Sequence, residues 1–382
     1  MSVMMEKTER LPHTSTTGFW LIAVWCCLLW MNATQADEPK TTWQRSSPEE
    51  VGFDSAKLKK LDAYLRANTG TTGLVLIVNG RYIHNYGDVT EISYIASCRK
   101  SLLAMLYGKY VENGQIELKK TIGQLEIDDV GGLLPIEKKA TVYDLITARS
   151  GVYHPAANAG GIPEGKEPPR GKTKPGTKFL YNNWDFNAAG TVFVQQTKIP
   201  IYTAFQNDIA IPIGMEDFDI KKQRYGGDKK KSEHLAYHFY LSTRDMARIG
   251  QLMLNKGKWD DEQIISKAWT ERMTTIVSPL DDRYTAGYGI MWWRLRDREY
   301  PAEFRGAFSA TGMYGQFITV FPALNLVVAH KSSGNEKNPT TSDQYRQIVH
   351  MVIQSRTRSR TAYKIDPLEV APNGVVSHSV NW

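Results

Sequence analysis

The sequence predicts an α+β fold: an antiparallel sheet flanked by its terminal helices, plus a mainly helical subdomain, with the active site in the cleft between them. Three observations carry this. A helix and a two-stranded hairpin stand near the start; residues 115 to 276 are dominated by helical stretches; three or more strands and a closing helix follow. Pairing the early strands with the late ones makes one sheet, which the terminal helices cover on one face and the central segment on the other. The expected organisation is a leader over 1–36, a discontinuous sheet subdomain from 37–90 and 277–357, a helical subdomain over 91–276, and a polar tail over 358–382.

In "DSAKLKKLDAYLRANTG", Asp54 is the expected N-cap, apolar residues recur at helical spacing, and Gly70 is the expected stop. "TGLVLIVNGRYIHNYGD" reads as two strands joined at Asn79-Gly80, a strong hairpin signal. A helix is expected to open at Ser97. "TVYDLITARSG", "NNWDFNAAGTVFVQQ", "IYTAFQNDIAIPIG" and "STRDMARIGQLMLNKGK" read as helical, separated by Pro-, Gly- and Lys-rich loops. Strand character returns in "AGYGIMWWRLR", "FRGAFSATG", "YGQFITVFP" and "LNLVVAHKSS", the last two forming a hairpin across Pro322 to Asn325. "TTSDQYRQIVHMVIQSR" is the closing amphipathic helix.

Composition bounds the function. The chain of 382 residues, 42% hydrophobic and 23% charged, has ample apolar material for one large domain or two. A formal charge of +7 is no nucleic-acid footprint at this length, and "KKQRYGGDKKK" reads as a solvated loop. Lys7, Arg10 and His13 precede the apolar run "FWLIAVWCCLLWM", with small residues Thr34 and Ala36 beyond it. That layout predicts a signal peptide cleaved after Ala36 and an exported protein, periplasmic or secreted, the alternative being an uncleaved N-terminal anchor. Cleavage removes Cys26 and Cys27 and leaves Cys98 without an internal disulfide partner.

The chemistry is expected from three segments. Ser97 and Lys100, three apart at a helix start, share a face. A serine hydroxyl needs a group to take its proton, and a lysine whose amine is kept neutral by burial supplies one. The helix N-terminus offers N–H groups to an oxyanion. In "TKFLYNNWDFNAAG", Tyr181 and Asn183 stand two apart at a helix entry, where a phenol relays a proton and an amide orients its neighbours. In "FSATGMYGQFITVFP", Thr311-Gly312 gives a strand edge along which a substrate can lie, and the N–H of Met313 is a second oxyanion donor. Each segment alone has a plain structural reading: a solvated lysine, a helix cap by Asn182 or Asn183, a hairpin edge.

In this order, S-x-x-K, Y-x-N and x-T-G resemble the serine β-lactamase and penicillin-binding-protein superfamily, and most of all its class C branch with its D,D-peptidases, esterases and 6-aminohexanoate-dimer hydrolases. The resemblance spans about residues 50 to 357 and includes "DLITARSGVYHP", "STRDMARIGQLML" and "GYGIMWW". It implies the β-lactamase/transpeptidase-like fold and no cofactor. Ser97 would be the acylated nucleophile, Lys100 its base, and Tyr181 the proton shuttle to the leaving group. Asn183 would orient Lys100 and the substrate carbonyl, with the N–H groups of Ser97 and Met313 as the oxyanion hole. The family's third motif opens with lysine in β-lactamases, whereas Ala310 stands here; Lys331 is a possible substitute. The implied activity is a serine hydrolase of small ester, amide or peptide-like substrates, with a β-lactamase or D,D-peptidase as the alternative and a catalytically inactive sensor or binding module as the alternative of another class.

Other readings are weaker. Cys98 lies about 100° around the helix from Ser97, toward the core. "EHLAYH" would put His234 and His238 one helical turn apart as a metal face, but it lacks the glutamate of H-E-x-x-H, and no metal is expected. Trp292 and Trp293 should point to opposite sides of a strand; either could line the cleft, and core packing is the default reading. The substrate's identity and the oligomeric state are not legible.

Overall fold

Asn79 and Gly80 adopt φ of 52° and 74°, the left-handed pair that a two-residue hairpin turn demands. They fold strand β1 (Thr71–Val78) back onto β2 (Arg81–Gly87). Five later strands complete an antiparallel sheet: β3 (Ala286–Tyr288), β4 (Trp293–Leu295), β5 (Phe308–Gly312), β6 (Gln316–Phe321) and β7 (Leu326–Ser332). The spatial order is β2-β1-β7-β6-β5-β4-β3, so the early hairpin docks on the last strand. This computed structural model describes residues 43–158, 160, 166–278, 286–297, 300–334 and 337–357. The leader read over 1–36 and the tail over 358–382 lie outside the described residues. Among those described, no helix is long and apolar enough to cross a membrane.

Helix α1 (Ser55–Asn68) is capped by Asp54, whose carboxylate accepts from the N–H groups of Ala56 and Lys57. Thr69, not Gly70, ends it. The closing helix, α6 (Ser342–Gln354), starts from a capping box of Thr341 and Gln344 and packs on α1. Period-2 alternation in β6 separates two layers. Phe317 stacks on Tyr345 of α6 at 3.7 Å and Thr319 bonds its hydroxyl, whereas Ile318 faces Gly250 of α4 (Thr243–Leu254) on the other side. Helix α2 (Cys98–Glu112) lies on that second side and is buried along nearly its whole length. Helix α3 (Asn183–Thr197) packs against α2.

Three expectations need correction. "TVYDLITARSG" is helical only over Val142–Ile146, because Ala148 turns left-handed with φ of 56°. "AGYGIMWWRLR" is two short strands, β3 and β4, since Met291 sits at φ of 56° between them. The segment holding His234 and His238 is not helical: Ala236–His238 pairs with Arg224–Gly226, and Tyr240–Leu241 pairs with Ser93–Tyr94. Ladders of two or three residues are too short to leave a periodic trace in sequence.

Candidate active site

The first turn of α2 is held in place before it carries any chemistry. The N–H of Ile95 bonds the Phe239 carbonyl at 3.1 Å, anchoring the chain to the Tyr240–Leu241 segment. Ala96 follows at φ of 48°, a conformation unfavourable for a residue with a Cβ. This bend swings Ser97 onto the end of α2, where its side chain makes no capping bond and its hydroxyl remains available to another partner.

That partner is Lys100. Its Nζ lies 2.7 Å from Ser97 Oγ and 2.7 Å from Tyr181 OH, donating to both. One hydroxyl, one amine and one phenol from three positions along the chain therefore meet at a single nitrogen. The walls are aromatic. Lys100 Nζ lies 4.6 Å from the Tyr181 ring centroid and 5.0 Å from that of Phe186. Tyr181 packs at 4.9 Å on Phe186 and stacks at 5.6 Å and 25° on Trp293. These rings remove water from the amine. Burial, with the neighbouring Arg99 guanidinium adding to it, holds the Lys100 amine well below its ordinary range. Burial also pushes the Tyr181 phenol up, so it keeps its proton at neutral pH. An amine held neutral beside a hydroxyl has the lone pair that a base requires.

The strand side completes the site. In register, β4 meets β5 only at Phe308 and Ser309, leaving the outer edge of Ala310, Thr311 and Gly312 beyond that ladder. Gly312 abuts the start of α2: a Cβ there would stand 2.5 Å from the Ile95 carbonyl oxygen and 3.1 Å from the Ser97 nitrogen. Among the described residues the N–H groups of Ser97 and Met313 have no hydrogen-bond acceptor, which suits a pair waiting for a developing oxyanion. Gly312→Val should push β5 off α2 and cost about 100-fold in kcat/KM, with the far-ultraviolet spectrum retained. An unimpaired Gly312→Val enzyme would show that this close approach does not set the site.

Not every residue singled out in the sequence reaches the centre. Asn183 is buried at the start of α3 and donates to the Asn158 carbonyl at 3.3 Å; among the described residues no hydrogen bond joins it to Lys100. The Thr311 hydroxyl points to the far face, 3.5 Å from Ser309 Oγ, so only its backbone can meet a ligand beside Ser97. Lys331 does not replace the lysine missing at Ala310. Its amine donates to the carbonyls of Glu91 and Leu241, both at 2.7 Å, and burial brings it down to about 8. Cys98 is buried with Sγ 3.4 Å from the Gln316 carbonyl, and burial pushes its thiol up, away from thiolate chemistry. His234 meets Thr191 at 3.0 Å, and the His238 ring packs on Tyr94 at 5.1 Å.

Sequence reasoning missed three participants. Trp293 is the lid on Tyr181, Phe186 flanks the amine, and Arg99 lies fully buried one residue before it. For Arg99 a signal existed: a charged residue set in a helix whose every neighbouring position is apolar or already claimed. For Trp293 the sequence offers a place in the cleft wall or in the core, and core packing is the default reading because contact with Tyr181 joins segments more than a hundred residues apart.

Solved structures share this arrangement of sheet and helices. A Bacillus anthracis protein described as a candidate 6-aminohexanoate-dimer hydrolase superposes with a TM-score of 0.62 at 21% identity, over 83% of this chain and 87% of its own. A penicillin-binding protein homologue from Caulobacter crescentus gives 0.58 at 13% identity over 78% and 97%. EstCE1, a hydrolase with promiscuous acyltransferase activity, gives 0.58 at 14% identity over 80% and 99%. No curated protein matches the chain. The family model described as Beta-lactamase matches residues 61–351, a span that holds Ser97, Lys100, Tyr181, the whole sheet and all but the outer ends of α1 and α6, and the chain therefore belongs to the Beta-lactamase family of serine hydrolases.

Proposed function

We propose that this protein hydrolyses an ester or amide bond of a small substrate through an acyl-enzyme on Ser97. The observation that supports it most is the Lys100 amine, desolvated and 2.7 Å from both Ser97 Oγ and Tyr181 OH. In the first half-reaction Ser97 Oγ bonds the substrate carbonyl carbon while its proton passes to Lys100. The tetrahedral oxyanion is held by the N–H groups of Ser97 and Met313. Its collapse breaks the bond to the leaving nitrogen or oxygen, which takes the proton through Tyr181. Water then attacks the acyl carbon, the same groups run in reverse, and the Ser97 hydroxyl is restored with release of the acid.

The substrate reading rests on charge. Ala310 stands where the resemblance places a lysine that binds a substrate carboxylate, and Lys331 is engaged elsewhere. A cleft without that cation favours neutral esters and linear amides over penicillins and D-Ala-D-Ala peptides. The name of the Bacillus anthracis structure, a candidate 6-aminohexanoate-dimer hydrolase, agrees with this preference. The β-lactamase or D,D-peptidase reading is second for the same reason. A binding module without turnover would have no need of a desolvated amine between a serine and a tyrosine. We further propose export, periplasmic or secreted, on the strength of the leader; N-terminal sequencing of the mature protein tests it.

A parallel turnover assay with a nitrophenyl ester, a linear amide oligomer, a cephalosporin and a D-Ala-D-Ala peptide decides the substrate class. The ester and the linear amide should be turned over fastest. Dominant cephalosporin turnover would overturn the neutral-substrate reading.

A further inference from the structure

Arg99 is a charged group in the wall of the site for which the acylation scheme has no use. Its side chain is 1% exposed, in a part of the molecule where a cation is expensive. Nη2 donates to Asn187 Oδ1 at 2.7 Å, Cζ lies 4.4 Å from the Tyr237 ring centroid, and Nη1 has no hydrogen-bond partner. Among the described residues no carboxylate pairs with it. A guanidinium cannot shed its proton, so the charge is permanent, whereas the amine of the next residue can release its own.

Among the described residues, the elements packed around Arg99 and Lys100 present uncharged groups, a carboxyl whose anion burial disfavours, or a further cation. Ser97 and Cys98 come from the same turn, and burial keeps Cys98 a thiol. The chain entering α3 brings Tyr181, and α3 itself brings Phe186, Asn187 and Asp185. The Asp185 carboxyl bonds Ser150, and burial pushes it far up, which disfavours its anion. From the 236–241 segment come Tyr237, a phenol held up by burial, and His238, brought down to about 4 by burial with Arg99 and Arg224 adding to it. Tyr202, Tyr225 and Tyr288, more remote, are likewise held up by burial. The exposed Arg224, held against Tyr240, is a further cation, not an acid. Among the described residues no ion pair offsets the charge of Arg99. Two like charges on adjacent residues in a dry pocket repel strongly, and only Lys100 can give way.

We propose that Arg99 is a positioning residue whose permanent, uncompensated charge disfavours a second cation on Lys100 and so reserves that amine for the Ser97 proton. The same guanidinium holds Asn187, whose Nδ2 donates to Asn158 Oδ1 at 2.9 Å; Asn158 in turn accepts from Asn183. Arg99 thereby also ties the first turn of α2 to the start of α3. The inference rests on the reading of Ser97 as nucleophile and Lys100 as base.

The test is the pH dependence of kcat/KM for a nitrophenyl ester, and of the rate at which a fluorophosphonate labels Ser97, in wild type, Arg99→Met and Arg99→Gln. Glutamine keeps a donor for Asn187 without the charge, which separates the electrostatic role from the hydrogen bond and supplies a second variant if methionine fails to fold. Both neutral variants should move the acidic limb upward by about one pH unit or more, a loss of about tenfold at a fixed pH on that limb, while labelling recovers at high pH. An Arg99→Gln limb that coincides with wild type, whatever its plateau, overturns the proposal and leaves Arg99 a packing residue. A wild type that is not labelled at Ser97 at any pH overturns instead the acyl-enzyme reading, and the inference falls with it.

Discussion

Ser97→Ala should abolish covalent labelling by a fluorophosphonate and lower kcat/KM by about 10⁴-fold or more. Without Oγ no acyl-enzyme forms, and what remains is whatever the oxyanion donors and binding contribute to direct attack by water. The substitution removes one half-exposed oxygen from a residue that makes no capping bond, so the fold should be untouched and Tm unchanged within a degree or two. Intact-mass measurement after labelling, followed by peptide mapping, reads the result directly. Labelling that persists on another residue in Ser97→Ala would sink the assignment of the nucleophile.

Lys100→Met should cost about 10³-fold in kcat/KM and at the same time stabilise the protein. The amine is fully buried among rings that cannot neutralise it, and desolvation holds it well below its ordinary 10.5. The sign follows from proton binding. Between the depressed folded value and 10.5 the unfolded chain binds the extra proton, so the wild type gains stability as pH rises through that window and loses it as pH falls toward the folded value. Methionine has a similar length and nothing to protonate. The variant should melt at least about 2 °C higher than wild type at pH 7, and the gap should narrow toward pH 10. A lower Tm for Lys100→Met at pH 7 would mean that the amine is charged and paired, and would remove the base from the mechanism. A gain in stability joined to a loss of activity is the mark of a group placed against its own solvation for the sake of function.

Much of the fold was legible in the chain because its signals are local. Asp54 caps α1, Asn79-Gly80 turns the first hairpin, Ser242 caps α4, and the Thr341 capping box opens α6; each acts over three or four residues. The wrong boundaries fall where local preference was overridden. Ala148 and Met291 take left-handed conformations that no side chain asks for, and tertiary contacts hold them there. The same holds for Ala96, whose bend is what delivers Ser97 to Lys100.

The candidates for the reacting groups could be read from residue type and spacing. Ser97 and Lys100 stand one helical turn apart in any chain with this sequence, and the order of the three motifs narrowed the chemistry to acyl transfer. Their protonation could not be read. A lysine three residues from a serine is ordinarily solvated and charged; only the closing of Tyr181, Phe186 and Trp293 around it, with a buried arginine alongside, disfavours the charged form of this amine. Solvation and like-charge repulsion depend on what surrounds a group in space, and for Lys100 those surroundings are assembled from segments that the chain keeps far apart.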